Sequence, residues 1–357
     1  MKIRKTRWYL KRLVYVLMAM TTLGTLCILF SKPVFIWIDN YSIKNLKQEL
    51  EENFIPGNAD SLISFISNFN LDGYTKPVFV NDVKINSRTE WSLKNEFSEN
   101  LIEEEASFAS LNTNLIPYDS ATFYIYRKSD IKNSKVVLWV PGLGVSDVAF
   151  RFIKHLFIIE LEKGYTVVVY IPPFHIKRKH PEKENGEGFI SSNLQQNLQL
   201  QLEAVRELRT MLEYLENQEP KEISAWGGSM GASFLLLTSK FHNFKHINLM
   251  IPMVDWERTM MQNKELKLLI PKYLEAGIDS SLLAQAFKIL SPANYELNLP
   301  SKTQIQLAEY DQLTSKSKIM DFARKNKIVN VISYPRGHAT ILFTKKLYRD
   351  YEIFLEF

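Results

Sequence analysis

From about residue 107 to the C-terminus, short apolar runs alternate with longer stretches of helical periodicity, and this alternation restricts the chain more than any other feature. ATFYIYR (121–127), KVVLWV (135–140) and TVVVYI (166–171) read as strands, followed by shorter candidates at 222–226, 247–254, 302–307 and 328–333. Several are apolar without interruption, the pattern of strands covered on both faces. The segments between them, near 147–162, 192–216 and onward from residue 230, together with 338–357 at the end, read as helices. The expected fold is therefore α/β, with a mostly parallel central sheet and helices on both faces. Such sheets bind ligands beyond the carboxyl ends of their strands, so the loops there are the places to look for chemistry.

Composition adds constraints. At 357 residues, 46% hydrophobic and 23% charged, the chain can bury a core without staples. The net charge of +5 is uneven, because Lys2, Arg4, Lys5, Arg7, Lys11 and Arg12 crowd the N-terminus. No basic stretch with interleaved aromatics follows, so no nucleic-acid partner is implied. Cys27 is the single cysteine, which excludes an intrachain disulfide and a cysteine-based zinc site. With no H-E-x-x-H, P-loop or G-x-G-x-x-G pattern, no metal or cofactor is expected.

The 18 residues Leu13 to Phe30 carry no charge. As a helix they would span roughly 27 Å, close to the thickness of a bilayer core. Six basic residues precede the run, which by the positive-inside rule leaves the N-terminus in the cytoplasm and the body on the extracytoplasmic side. Phe35, Ile36 and Trp37 would then sit at the far interface. A cleaved signal peptide is the alternative, although the run lacks a clean A-x-A site, and Leu26 ahead of Cys27 argues against a lipoprotein signal. The expected organisation is a basic stub and single-pass anchor (1–38), a helical stalk or N-terminal extension broken at Pro56-Gly57 (39–106), and a main domain (107–357). Two amphipathic stretches within 257–300 are expected as a cap or lid.

Gly227-Gly228-Ser229-Met230-Gly231 is a G-x-S-x-G sequence between the strand EISAW and the helix MGASFLLLTS. In that setting the pattern marks a nucleophile elbow: a strained turn exposes the serine, and glycines at both ends avoid collisions with the neighbouring strand and helix. A serine hydroxyl needs an adjacent base held in one tautomer. His338, in YPRGHATILF, is the one histidine after Ser229 that lies at the carboxyl end of a strand; His242 and His246 lie at the other edge. Asp311, ending the preceding strand in IQLAEYDQLT, is the candidate acid, with Asp255 and Glu309 as rivals. The amides of Met230 and of Leu143, in Pro141-Gly142-Leu143-Gly144, are the candidate oxyanion donors. Lys177, Arg178, Lys179, His180 and Lys183 crowd the loop after TVVVYIPP, either to meet lipid head groups or an anionic substrate or as a solvated loop.

PGLG, GGSMG, EYD and GH occur in the order found in the α/β-hydrolase superfamily, which this sequence resembles from about residue 107 to the end. ASFASLNTNLIPYDSATFYIY followed by KVVLWVPGLG also resembles a branch of membrane-associated hydrolases in which a P-x-H-x-x-R-like segment follows the next strand, here PPFHIKRKHP. Pro141 stands where many esterases have His. The resemblance implies an esterase-like or lipase-like serine hydrolase acting on an acyl-ester or lipid small molecule. Transfer of the acyl group to another acceptor, a peptidase-like activity, and a silent hydrolase fold used as a membrane interaction module remain the alternatives.

Overall fold

The computed structural model describes residues 31–91, 101–111, 114–116, 120–145, 150 and 157–356. The run Leu13 to Phe30 and Cys27 lie outside them, and no helix among the described residues is long and apolar enough to cross a membrane.

The first helix, α1 (Lys32–Glu52), has proline in its first turn, where the missing N–H costs nothing. Its inner stripe is Phe35, Asp39, Ile43 and Leu50. Two short helices follow, α2 (Ala59–Ser67) and α3 (Leu71–Thr75), capped by the side chains of Asn58 and Asn70. The expected break at Pro56-Gly57 therefore falls between α1 and α2.

Nine described strands form one sheet: β1 (Lys84–Trp91), β2 (Leu101–Ala109), β3 (Ser120–Arg127), β4 (Lys135–Val140), β5 (Tyr165–Ile171), β6 (Glu222–Gly228), β7 (Ile247–Met250), β8 (Thr303–Ala308) and β9 (Asn330–Tyr334). The order is β1-β2-β3-β5-β4-β6-β7-β8-β9. The pairs from β1 through β3 to β5 are antiparallel, and all the others are parallel.

Alternate residues of the central strands enter two different cores. Val136, Leu138 and Val140 face one side, with α4 (Leu194–Glu216) and α5 (Met230–Thr238). Val137 and Trp139 face the other, with Phe157 and with Leu347 and Tyr351 of α10 (Lys345–Glu356). On that second face Trp139 stacks on Trp226 with centroids 4.2 Å apart. Both faces are covered, which is why the strand sequences are apolar throughout. Four helices complete the chain between α5 and α10: α6 (Trp256–Gln262), α7 (Ile270–Glu275), α8 (Ser280–Leu290) and α9 (Lys316–Lys325).

Some expectations change. Residues 39–106, expected as a helical stalk or as an extension braced against the main domain, pack into the main core through Ile43, Leu50, Leu62 and Leu71 and also contain β1, and residues 106 and 107 both lie in β2. Phe35, expected at a membrane interface, is buried against Tyr310, whereas Trp37 is 65% exposed. The strand expected over 247–254 stops at Met250, because Ile251 takes a positive φ of 43°. The last helix begins at Lys345 rather than at His338. The amides of His338 and Ala339 donate to the Asp39 carboxylate instead of opening a helix.

Candidate active site

β6 runs straight into the turn at Ser229, which has φ 51° and ψ −116°. A non-glycine residue in this region is strained by about 1–3 kcal/mol and must be held by its surroundings. The Ser229 amide donates to Met250 O at 2.8 Å, and Ser229 O accepts from Ser233 and Met253 at 3.3 Å each. The flanking glycines are required by close approach: a Cβ at Gly231 would lie 2.2 Å from Val140 O, and one at Gly227 would lie 2.8 Å from Ala232 Cα. Helix α5 starts at Met230, directly behind the serine.

The three residues expected to act together are in contact. Ser229 Oγ lies 2.9 Å from His338 Nε2, and His338 Nδ1 lies 2.8 Å from Asp311 Oδ2. His338 comes from the loop after β9 and Asp311 from the loop after β8. Asp311 is aimed by its own loop: Oδ1 accepts the amides of Leu313 and Thr314, and Oδ2 accepts Thr314 Oγ1 at 2.6 Å. Burial disfavours the imidazolium of His338, but the carboxylates of Asp311 and then Asp39 outweigh it and raise the pKa above the ordinary value. With Nδ1 donating to Asp311, Nε2 is free to accept the serine proton.

The rivals sit elsewhere. Asp255 caps α6 through the Arg258 amide and pairs with Lys318. Glu309 is exposed and accepts from Ser333. His242 meets Glu216, and His246 lies beside Ser224.

Leu143 and Met230 line the same cavity as Ser229, and a Cβ at Gly142 would lie 3.2 Å from Ser229 Cβ, so the 141–144 loop lies directly over the serine. This loop is held by His175, a residue of PPFHIKRKHP that sequence reasoning left without a role. His175 Nε2 accepts the Gly144 amide at 2.9 Å, and Nδ1 lies 2.8 Å from Pro173 O. The carbonyl requires the proton on Nδ1, and burial lowers the pKa to about 4, so the ring stays neutral. The sequence signal was a histidine beside prolines at a strand's carboxyl end.

The basic loop does not present its charges as a free patch. Arg178 is buried and makes a two-pronged pair with Glu207 at 2.8 and 2.7 Å, and Glu207 also accepts Tyr170 Oη. Lys177 pairs with Glu105, Lys183 with Glu187, and Lys179 Nζ donates to Lys183 O.

The cavity above Ser229 has a volume of about 860 Å³, the size of a small-molecule site. Its walls are mostly apolar and include Trp226, Met250, Met253 and Trp256. The segment expected as a lid contributes Thr259, Met260 and Leu266, while α1 contributes another wall through Ile43 and Leu46. Asp39 was also missed. Its signal was an acid at four-residue spacing between Phe35 and Ile43, on a stripe that should be apolar.

No protein-family model matches the sequence, and no curated protein matches it. Solved structures do match. The acetyl xylan esterase from Paenibacillus sp. R4 is similar with a TM-score of 0.55 at 12% identity, covering 86% of this chain and 98% of that one. Acetyl xylan esterase 1 from Thermoanaerobacterium sp. gives 0.55 at 13% identity over 86% and 97%. The Pyrococcus furiosus esterase Pf2001 gives 0.50 at 16% identity over 76% and 96%. Likeness at this identity is a likeness of fold, and the chain has the α/β-hydrolase fold.

Proposed function

We propose that the protein is a serine hydrolase that cleaves carboxylic esters through an acyl-enzyme on Ser229. The observation that carries this reading is the 2.9 Å contact of Ser229 Oγ with His338 Nε2 at the floor of the cavity, with Asp311 2.8 Å behind the ring. Ser229 Oγ attacks the ester carbonyl while Nε2 takes its proton. The amides of Met230 and Leu143 receive the developing oxyanion. His338 then gives the proton to the departing alkoxide, and the alcohol leaves. Water, deprotonated by the same nitrogen, attacks the acyl carbon, and the proton returns to Ser229 as the acid is released. The names of the structural neighbours, an esterase and two acetyl xylan esterases, agree with ester chemistry. The apolar walls favour a substrate with an extended acyl chain, of a lipid or of another acyl ester.

Labelling with a fluorophosphonate, alongside Ser229→Ala and His338→Ala, tests this. The wild-type chain should be labelled and should turn over p-nitrophenyl esters, and both variants should lose labelling and turnover. Ester turnover that survives Ser229→Ala would sink the proposal, and a folded wild type that takes up no probe would favour the silent-module reading.

For location we propose a retained N-terminal anchor over Leu13 to Phe30 with the body on the extracytoplasmic side, supported by the uncharged run and the six basic residues ahead of it. Protease added outside intact cells should digest the body; full protection would overturn the orientation.

A further inference from the structure

Helix α1 turns one carboxylate inward. Asp39 is 2% exposed, on a stripe otherwise made of Phe35, Ile43 and Leu50. Its Oδ2 accepts the amides of His338 at 2.7 Å and Gln312 at 3.2 Å, and its Oδ1 accepts the amide of Ala339 at 3.1 Å. One carboxylate therefore ties together the loop that carries His338 and the loop that carries Asp311. The contact is close enough that a Cβ at Gly337 would lie 2.9 Å from both Asp39 oxygens and from Phe35 O. Around it, Phe35 stacks on Tyr310 of one loop at 6.5 Å, and Arg336 of the other lies 5.0 Å over the Phe35 ring.

Burial raises the pKa of Asp39, and the amides of His338 and Ala339 oppose that rise only in part. An apolar residue would satisfy the helix stripe without that cost, but it would leave the amides of His338, Ala339 and Gln312 without this acceptor. The charged groups that face the His338 ring are Asp311, from the loop after β8, and Asp39, from α1. Arg336, on His338's own loop, is turned onto Phe35, and Lys32 lies over Tyr310.

We propose that Asp39 is a positioning residue for the Ser229–His338–Asp311 triad, fixing the base loop against the acid loop, so that seating of the N-terminal helix is a condition for activity. The proposal rests on the reading of those three residues as a catalytic triad. Asp39 lies outside the cavity lining, so it acts through His338 and not through substrate.

The test uses the full chain in detergent, with the fluorophosphonate-titrated fraction counting competent sites. Asp39→Asn is expected to leave KM unchanged and to lower kcat per titrated site by roughly 10- to 100-fold, through a misplaced base. It should also move the acid limb of the kcat/KM profile to lower pH, because a charge favouring the imidazolium is gone. Asp39→Glu keeps the charge on a longer stem, so it should hold the limb near its wild-type position while kcat still falls. A purely structural brace would lower the melting temperature and the titrated fraction and leave both kcat per site and the limb in place, and that result overturns the proposal. If Asp39→Asn does not fold, Asp39→Glu decides alone, and wild-type kcat per site in it overturns the proposal. Failure of the triad reading is visible separately, as a wild-type chain that takes up no probe.

Discussion

His175 Nε2 accepts the amide of Gly144 at 2.9 Å, so a buried neutral imidazole fixes the loop that lies over Ser229. With its own N–H committed to His175, Gly144 is removed as an oxyanion donor, while the neighbouring Leu143 lines the cavity together with Ser229. His175→Ala should free the loop and blunt one of the two proposed oxyanion donors. Loss of one such donor costs about 10²–10³ in kcat, so a loss near the lower end is expected, with KM changed much less. Steady-state kinetics on a p-nitrophenyl ester checks this; a kcat within a factor of two of wild type would show that the loop holds its place without His175.

The pH dependence follows from His338. The proposed base works as the neutral imidazole, and the two carboxylates raise its pKa above 6.5. Activity should therefore fall as pH drops through a midpoint above 6.5 and level off on the alkaline side. Asp311→Asn removes the larger favourable charge and the acceptor that sets the tautomer, so the limb should move to lower pH and kcat should drop by roughly 10³- to 10⁴-fold. A kcat/KM profile across that range decides it. A limb that stays put in Asp311→Asn would mean that another group titrates.

How much of this was legible in the sequence depended on whether the determinants were local. β4, β5 and β6 were readable because both of their faces are buried, and the Ser229 turn because its glycines flank it in the chain. β1 and β2 were not. KINSRTEW is largely polar, and LIEEEASFA carries three glutamates in succession. Glu104 is buried there against Arg127, which grips it from the neighbouring strand at 2.8 and 2.9 Å. Arg178 read as one charge of a basic loop, since Glu207 lies 29 positions away. Asp39 had no readable partner at all, the nearest in the chain of its three amide donors being 273 positions downstream. The candidate triad could be listed in order, but the residues that aim it could not.

The backbone at Ser229 gives a stability prediction. Its φ of 51° is strained for any residue with a Cβ, whereas glycine adopts it freely. Both Ser229→Ala and Ser229→Gly should be inactive, but the glycine variant should be the more stable by about 1 kcal/mol. Urea unfolding of the two variants side by side measures the difference, and equal midpoints would mean that the turn is not strained.

Glu160 supplies the last prediction. Its carboxylate lies under the sheet, accepting Trp139 Nε1 at 2.9 and 2.8 Å and the Tyr351 hydroxyl. Burial raises its pKa from 4.5 to about 8, against the opposing pull of those hydrogen bonds. The folded state therefore holds a proton that the unfolded chain releases. The resulting stability is fully present below 4.5 and is lost as pH rises to about 8. Each unit of difference is about 1.4 kcal/mol, so the loss amounts to several kcal/mol. Glu160→Gln cannot ionise and should escape it. Compared at about pH 5 and again at about pH 9, the stability difference between the two proteins should swing toward the glutamine variant. Parallel stability curves across that interval would mean that Glu160 is already ionised in the fold at the lower pH, held so by Trp139 and Tyr351.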